Sequence, residues 1–203
     1  MKHLRLFALL LVCVPLASKP AVETPPMEWE ALTRQPTRQL GTRVRVVGQW
    51  NGRVEQWNSY LTRFSSATHN GWQLWSDAQA LWLREEYEAP LMRVFSPKGS
   101  ALSQELSRLA PQQRVELELV VRECFMELPW AEVVGLRVLE ESVSEATAFH
   151  AARAIELERK GAVQLALSEL GSAMVPGLPA HFRSLLEALE VQWRDRHGVA
   201  SGK

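Results

Sequence analysis

The chain has 203 residues, 46% of them hydrophobic, and its 23 basic residues are matched by 23 acidic ones. That balance excludes the electrostatic footprint of a protein that grips nucleic acid through its phosphates. The apolar content is enough for one domain plus an appendage held by burial alone. Eight tryptophans are many for this length, and each either fills core volume or presents a flat contact surface.

Lys2 and Arg5 precede an apolar run from Leu6 to Leu16, then small Ala17 and Ser18, with no acidic residue before Glu23. This is the order of a secretory signal, so residues 1–17 are read as a cleavable signal peptide and the protein as exported, periplasmic or extracellular. A membrane-spanning helix needs about twenty apolar residues, more than this run offers, and no transmembrane span is expected in the mature chain. Cys13 follows Val12 rather than a small residue, which argues against lipidation. Without Lys2 and Arg5 the 23 basic residues fall to 21 against 23 acidic, a formal charge of −2. Loss of Cys13 would leave Cys124 alone, with no intramolecular disulfide.

Residues 18–39, with Pro20, Pro25 and Pro26, read as an extended leader that includes a short helical piece around Trp29 to Thr33. From Thr42 to Trp50 the period becomes two, with Val44, Val46 and Gly48 on one face and Arg43, Arg45 and Gln49 on the other: a half-buried strand. Asn51-Gly52 and Asn70-Gly71 are expected turns. Trp72 to Ser76 and Ala80 to Glu85 read as a hairpin closed by Ser76-Asp77-Ala78-Gln79. Ser100 caps an expected helix carrying Leu102, Leu106 and Leu109. Arg114 to Arg122 and Trp130 to Glu140 are the last expected strands. Beyond Glu141 the pattern is helical, opened by a capping box at Ser142 and Glu145, with helices near Ser144 to Lys160, Ala162 to Met174 and Pro179 to His197. Residues 199–203 read as a disordered tail.

The opening strand "GTRVRVVGQW", the segment "WQLWSDAQALWLRE" and the strand and helix order over residues 40–141 resemble the oligonucleotide/oligosaccharide-binding (OB) fold. That resemblance implies a five-stranded Greek-key barrel with one helix between its third and fourth strands. Within residues 142–198, "GAVQLALSELGSAM" resembles the second half of a tetratricopeptide repeat, with Ala154, Ala166 and Ala173 at its small positions. It departs from the repeat at His150, Leu157, Leu170 and the displaced Pro179. The expected fold is mainly β plus α, an OB-like barrel with a C-terminal three-helix segment.

Three residue sets are candidate binding surfaces. Trp57, Tyr60 and Arg63 interleave rings and a cation between the first two strands, where OB domains hold ligands, although the same rings could fill the barrel. Trp75 and Trp82, with Arg84, would make a stacking platform if exposed and an interdomain core if covered by the helices. Leu167, Leu170 and Met174, with Leu165, form a stripe that could receive a partner helix or zip the three helices together. Arg43 and Arg45 are expected to pair with Glu116 and Glu118 across adjacent strands. The histidines have no metal-ligand spacing, Cys124 has no companion base, and no nucleophile elbow or phosphate-cradling loop occurs. The expectation is therefore a non-catalytic exported binding or scaffold protein without metal or cofactor. A protein is the expected partner, an oligosaccharide the alternative, and nucleic acid is disfavoured by the charge.

Overall fold

The computed structural model describes residues 25–199 apart from Ser59 and Leu61. The signal segment 1–17, the start of the leader and residues 200–203 lie outside the described residues.

Five strands, β1 (Arg43–Val54), β2 (His69–Ser76), β3 (Met92–Pro97), β4 (Arg114–Phe125) and β5 (Leu128–Val138), close a barrel in the order β1-β2-β3-β5-β4. The β3–β5 pairing is parallel and the rest antiparallel. With a helix between β3 and β4, this architecture is compatible with an OB-like fold, as expected. The period-two patterns read in β1 and β4 put Val44, Val46, Val115, Leu117, Leu119 and Val121 inside, where Trp50, Trp72, Leu74, Met92 and Val94 complete the packing. Trp72 donates its indole N–H to Ser96 Oγ at 2.8 Å, so the ring is buried with its polar atom satisfied.

The leader is less extended than its prolines suggested. Helix α1 (Trp29–Arg34) and a 3₁₀ turn (Pro36–Gln39) occupy its second half. Trp29 and Leu32 are buried in the barrel cluster.

The expected hairpin is corrected. Its turn is present, with Gln79 N–H donating to the Ser76 carbonyl, but Ala80 to Glu85 is not a strand. Residues 77–91 form a compact excursion containing α2 (Arg84–Tyr87), and Met92–Pro97 pairs with β2 instead. The Gln79 side chain holds the excursion together: Oε1 accepts from Ser76 N–H at 3.0 Å while Nε2 donates to the carbonyls of Glu86 and Ala89. Neither Asn-Gly pair makes a turn. Asn51-Gly52 forms a bulge in β1, with Gly52 at φ 138°. Asn70-Gly71 lies inside β2, where a Cβ on Gly71 would sit 3.1 Å from the Trp57 ring.

Helix α3 (Ala101–Leu106) is capped by Ser100, whose hydroxyl accepts from Ser103 N–H, and is shorter than its leucine spacing implied. The C-terminal segment folds as α4 (Glu145–Arg159), α5 (Val163–Ala173) and α6 (Ala180–His197). Its cap is Ser144, accepting from Thr147 N–H at 3.0 Å, rather than the Ser142 box; the Ser142 amide donates to the Gly177 carbonyl. Ala151, Ala154 and Ala166 are fully buried, leaving room for the helices to approach closely. Val199, assigned to the tail, packs against the same helical core.

That helical core extends into the barrel's own excursion, because Trp75, Leu81 and Trp82 belong to the same cluster as Leu170, Phe182, Leu186 and Trp193. Polar ties reinforce the junction. Gln49 Oε1 accepts from Val143 N–H at 2.9 Å, and Arg114 makes a two-point pair with Asp77.

Candidate functional site

The region between β1 and β2 folds back onto the outside of the sheet. Phe64 stacks on Phe95 with centroids 4.5 Å apart, Phe95 stacks on Trp130 at 5.3 Å, and Trp57 meets Phe95 edge-on at 5.4 Å. Trp57 Nε1 donates to the Phe64 carbonyl at 2.6 Å. Glu123 of β4 latches the loop, accepting from Arg63 N–H at 2.6 Å and from Thr62 Oγ1 at 3.0 Å. Phe64 and Phe95 are each 1% exposed, so the loop covers the rings of the sheet with one of its own.

The sequence-predicted residues Trp57, Tyr60 and Arg63 share this loop but have different surroundings. Trp57 is half-buried packing, Arg63 faces Glu123 with its guanidinium at 3.5 Å, and Tyr60 stands 98% exposed. The β4–β5 turn follows shortly after Glu123 in the chain. Met126 (φ 49°) and Glu127 (φ 60°) both adopt the left-handed conformation there, leaving Met126 and Leu128 exposed.

Trp75, Trp82 and Arg84 are elsewhere. Trp75 is 2% and Trp82 6% exposed, which corrects the idea of an open stacking platform. Trp75 stacks on Tyr87 and donates its indole N–H to the Tyr87 carbonyl, while Trp82 meets Phe182 edge-on at 5.9 Å. The physical reason is the helical segment itself, whose apolar face takes these indoles as its landing surface. Arg84 is a solvated α2 residue paired with Glu88 at 2.8 Å. The rim of Trp82 and Arg84 still border a shallow groove of about 270 Å³ against Tyr87 and the α4 residues Ala148 and Phe149.

The stripe offered as a possible partner site is likewise inward. Leu167 and Leu170 are buried in the helical core and Met174 packs partly against it, so the zipping alternative describes them. The apolar side chains that the helices expose are Phe149 on α4, Leu165 on α5, and Leu185 and Val191 on α6. Of these, Leu165 belongs to the stripe read in the sequence, whereas Phe149, Leu185 and Val191 were not singled out there.

Arg43 pairs with Glu118 at 3.0 Å and Arg45 with Glu116 at 3.3 Å, as the strand pairing implied. A third cation was missed: Arg137 of β5 reaches Glu116 at 2.8 Å. These side chains floor a groove of about 680 Å³ across the outside of β1, β4 and β5, walled by Met27 and Leu136. A Cβ at Gly135 would lie 2.9 Å from Glu118 Oε2 and 3.1 Å from Glu118 Cβ, so the glutamate would have to shift to admit one.

Among the described residues no group of three His, Cys, Asp or Glu side chains could hold a metal ion, and no helix is long and apolar enough to cross a membrane. Burial pushes the Cys124 thiol up from its ordinary value, which disfavours the thiolate. His150, His181 and His197 face Glu169, Asp77 and Glu158 at 2.7, 4.0 and 3.1 Å.

No protein-family model matches the chain, and no curated protein does. Among solved structures, the chain is similar to one named as an aspartyl-tRNA synthetase from Leishmania major Friedlin, at 8% identity and a TM-score of 0.39. The similarity covers 71% of this chain and spans only 29% of the length of that protein.

Proposed function

We infer that this is an exported, non-catalytic binding or scaffold protein of the cell envelope whose partner is a protein. In this reading an OB-type barrel carries a single tetratricopeptide-like hairpin and a third helix. The observation that carries it is the burial of Trp75 and Trp82. The two rings best suited to stack on a sugar or base are spent inside the core that fixes the helices to the barrel. The stack of Phe64, Phe95 and Trp130 is roofed by its own loop in the same way. Exposed apolar side chains remain on the helices and at the β4–β5 turn, and Phe149 stands beside the groove bordered by Trp82 and Tyr87. That groove, with Phe149 at its edge, is where this reading puts a protein contact. The export part of the reading rests on the order of Lys2, Arg5, the apolar run and Ala17.

The alternative, an OB-type module for an oligosaccharide, draws on Tyr60 and half-buried Trp57 at the loop end of the barrel. Calorimetric titration of the purified protein with cell-wall oligosaccharides and single-stranded DNA separates the two readings. The protein-partner reading expects no saturable heat from either. Saturable binding abolished by Trp57→Ala or Tyr60→Ala would replace it with the alternative.

A further inference from the structure

The shallow groove beside Phe149 lies between α4 and the excursion of residues 77–91. On the helix side, Glu145, Ala148, Phe149 and Ala152 follow one another at i, i+3, i+4 and i+7 and so share one face. Across from them lie Trp82, Arg84 and Tyr87. The two alanines keep the floor low, and three rings border it: Phe149 is 57% exposed, Tyr87 is 39% exposed, and Trp82 adds the rim of its indole. Two of the lining side chains are charged, and they differ in what holds them. Arg84 is taken up by Glu88 at 2.8 Å, with the charge of Glu85 also acting on it. Glu145 is exposed and, among the described residues, no side chain pairs with it. The cation of the groove is thus neutralised by its own neighbours, while the carboxylate is left to a partner.

A volume of about 270 Å³ falls below that of pockets enclosing drug-sized ligands and suits one long side chain. An arginine matches this setting on each count. Its apolar stem covers exposed rings, its flat and weakly hydrated guanidinium stacks on them, and its charge meets a carboxylate. We propose that this groove takes one arginine side chain from a partner protein, its guanidinium paired with Glu145 and its stem lying over Phe149 and Tyr87. The proposal rests on the protein-partner reading above and gives that partner a chemistry.

The test uses the whole protein and short alanine-based peptides with one central arginine, citrulline or glutamate, labelled with an uncharged fluorophore and read by anisotropy. Citrulline keeps the shape of arginine without its charge. The arginine peptide should bind about fivefold tighter than the citrulline one and more tightly still than the glutamate one. That preference should vanish in Glu145→Gln, and Glu145→Lys should turn it towards glutamate, a gain that unfolding cannot imitate. Phe149→Ala should weaken arginine binding about threefold, with circular dichroism confirming the fold. Equal binding of the three peptides, binding of none, or an arginine preference that survives Glu145→Gln overturns the proposal. Arginine binding undiminished in Phe149→Ala overturns it as well. Any of these failures leaves the protein-partner reading standing, because that reading is tested by the oligosaccharide and DNA titrations.

Discussion

Trp82→Ala tests whether the barrel and the helices share one core. The indole is 6% exposed, meets Phe182 edge-on, and packs in a cluster that includes Leu170 and Trp193. Truncating a buried tryptophan costs about 3–5 kcal/mol, the lost transfer energy plus the cavity left behind. Phe182 lies on α6 and cannot close that cavity without moving its helix, so the upper half of the range is expected. With a urea slope of about 2 kcal/mol per molar, the midpoint should fall by about 2 M without a change of slope. Far-UV circular dichroism, which follows the helices, and near-UV circular dichroism, which follows the aromatic core, should shift together. A loss below about 1 kcal/mol would mean that the ring is not interior, and the argument that Trp75 and Trp82 are unavailable to a ligand would collapse.

Other consequences can be checked in the same way. Glu123→Ala removes the acceptor of Arg63 N–H and Thr62 Oγ1 and should free the roof over Phe95, costing about 1–3 kcal/mol and speeding amide exchange at residues 62–64; unchanged exchange would show that the aromatic stack alone holds the loop. Gly48→Ala places a Cβ 2.0 Å from Met92 Cε and 2.7 Å from the Trp75 carbonyl, so a loss of about 1–3 kcal/mol is expected in thermal melts and a neutral result would contradict this packing. Hydrogen bonds from His197, then the charge and hydrogen bond of Arg196, hold the Glu158 carboxyl below the usual glutamate range. The α4–α6 tie at Glu158 is therefore fully present above the ordinary glutamate value and lost as the pH falls through the lowered one. Acid titration followed at the end of α6 should show a step that Glu158→Gln abolishes; a step unchanged in that variant would assign the transition to another group.

The barrel was legible in the sequence where a strand has one wet and one dry face. Val44 and Val46 against Arg43 and Arg45, and Leu117 and Leu119 against Glu116 and Glu118, give both the strands and their cross-strand ion pairs. Serines at helix starts marked α3 and α4. The third strand was not legible, because Met92, Val94 and Ser96 face the barrel while Phe95 on the other side is buried under the loop, so no polar alternation advertises it. Leu81 and Trp82 imitated that strand. Their burial comes from helices a hundred residues further on, and no local pattern encodes such a contact. The candidate surfaces suffered from the same ambiguity: an indole bound for an interdomain core and one bound for a ligand look alike in sequence. Arg137 went unnoticed as a groove residue because its relation to Glu116 depends on the β4–β5 register.

The most direct test of a protein partner is site-specific photo-crosslinking in cells, with a photoreactive phenylalanine analogue in place of Phe149 on the exposed face of α4. A discrete adduct to one envelope protein, absent when the analogue replaces buried Leu170, is the result expected. Absence of any adduct at Phe149, together with one to a saccharide or oligonucleotide from position Tyr60, would contradict the account.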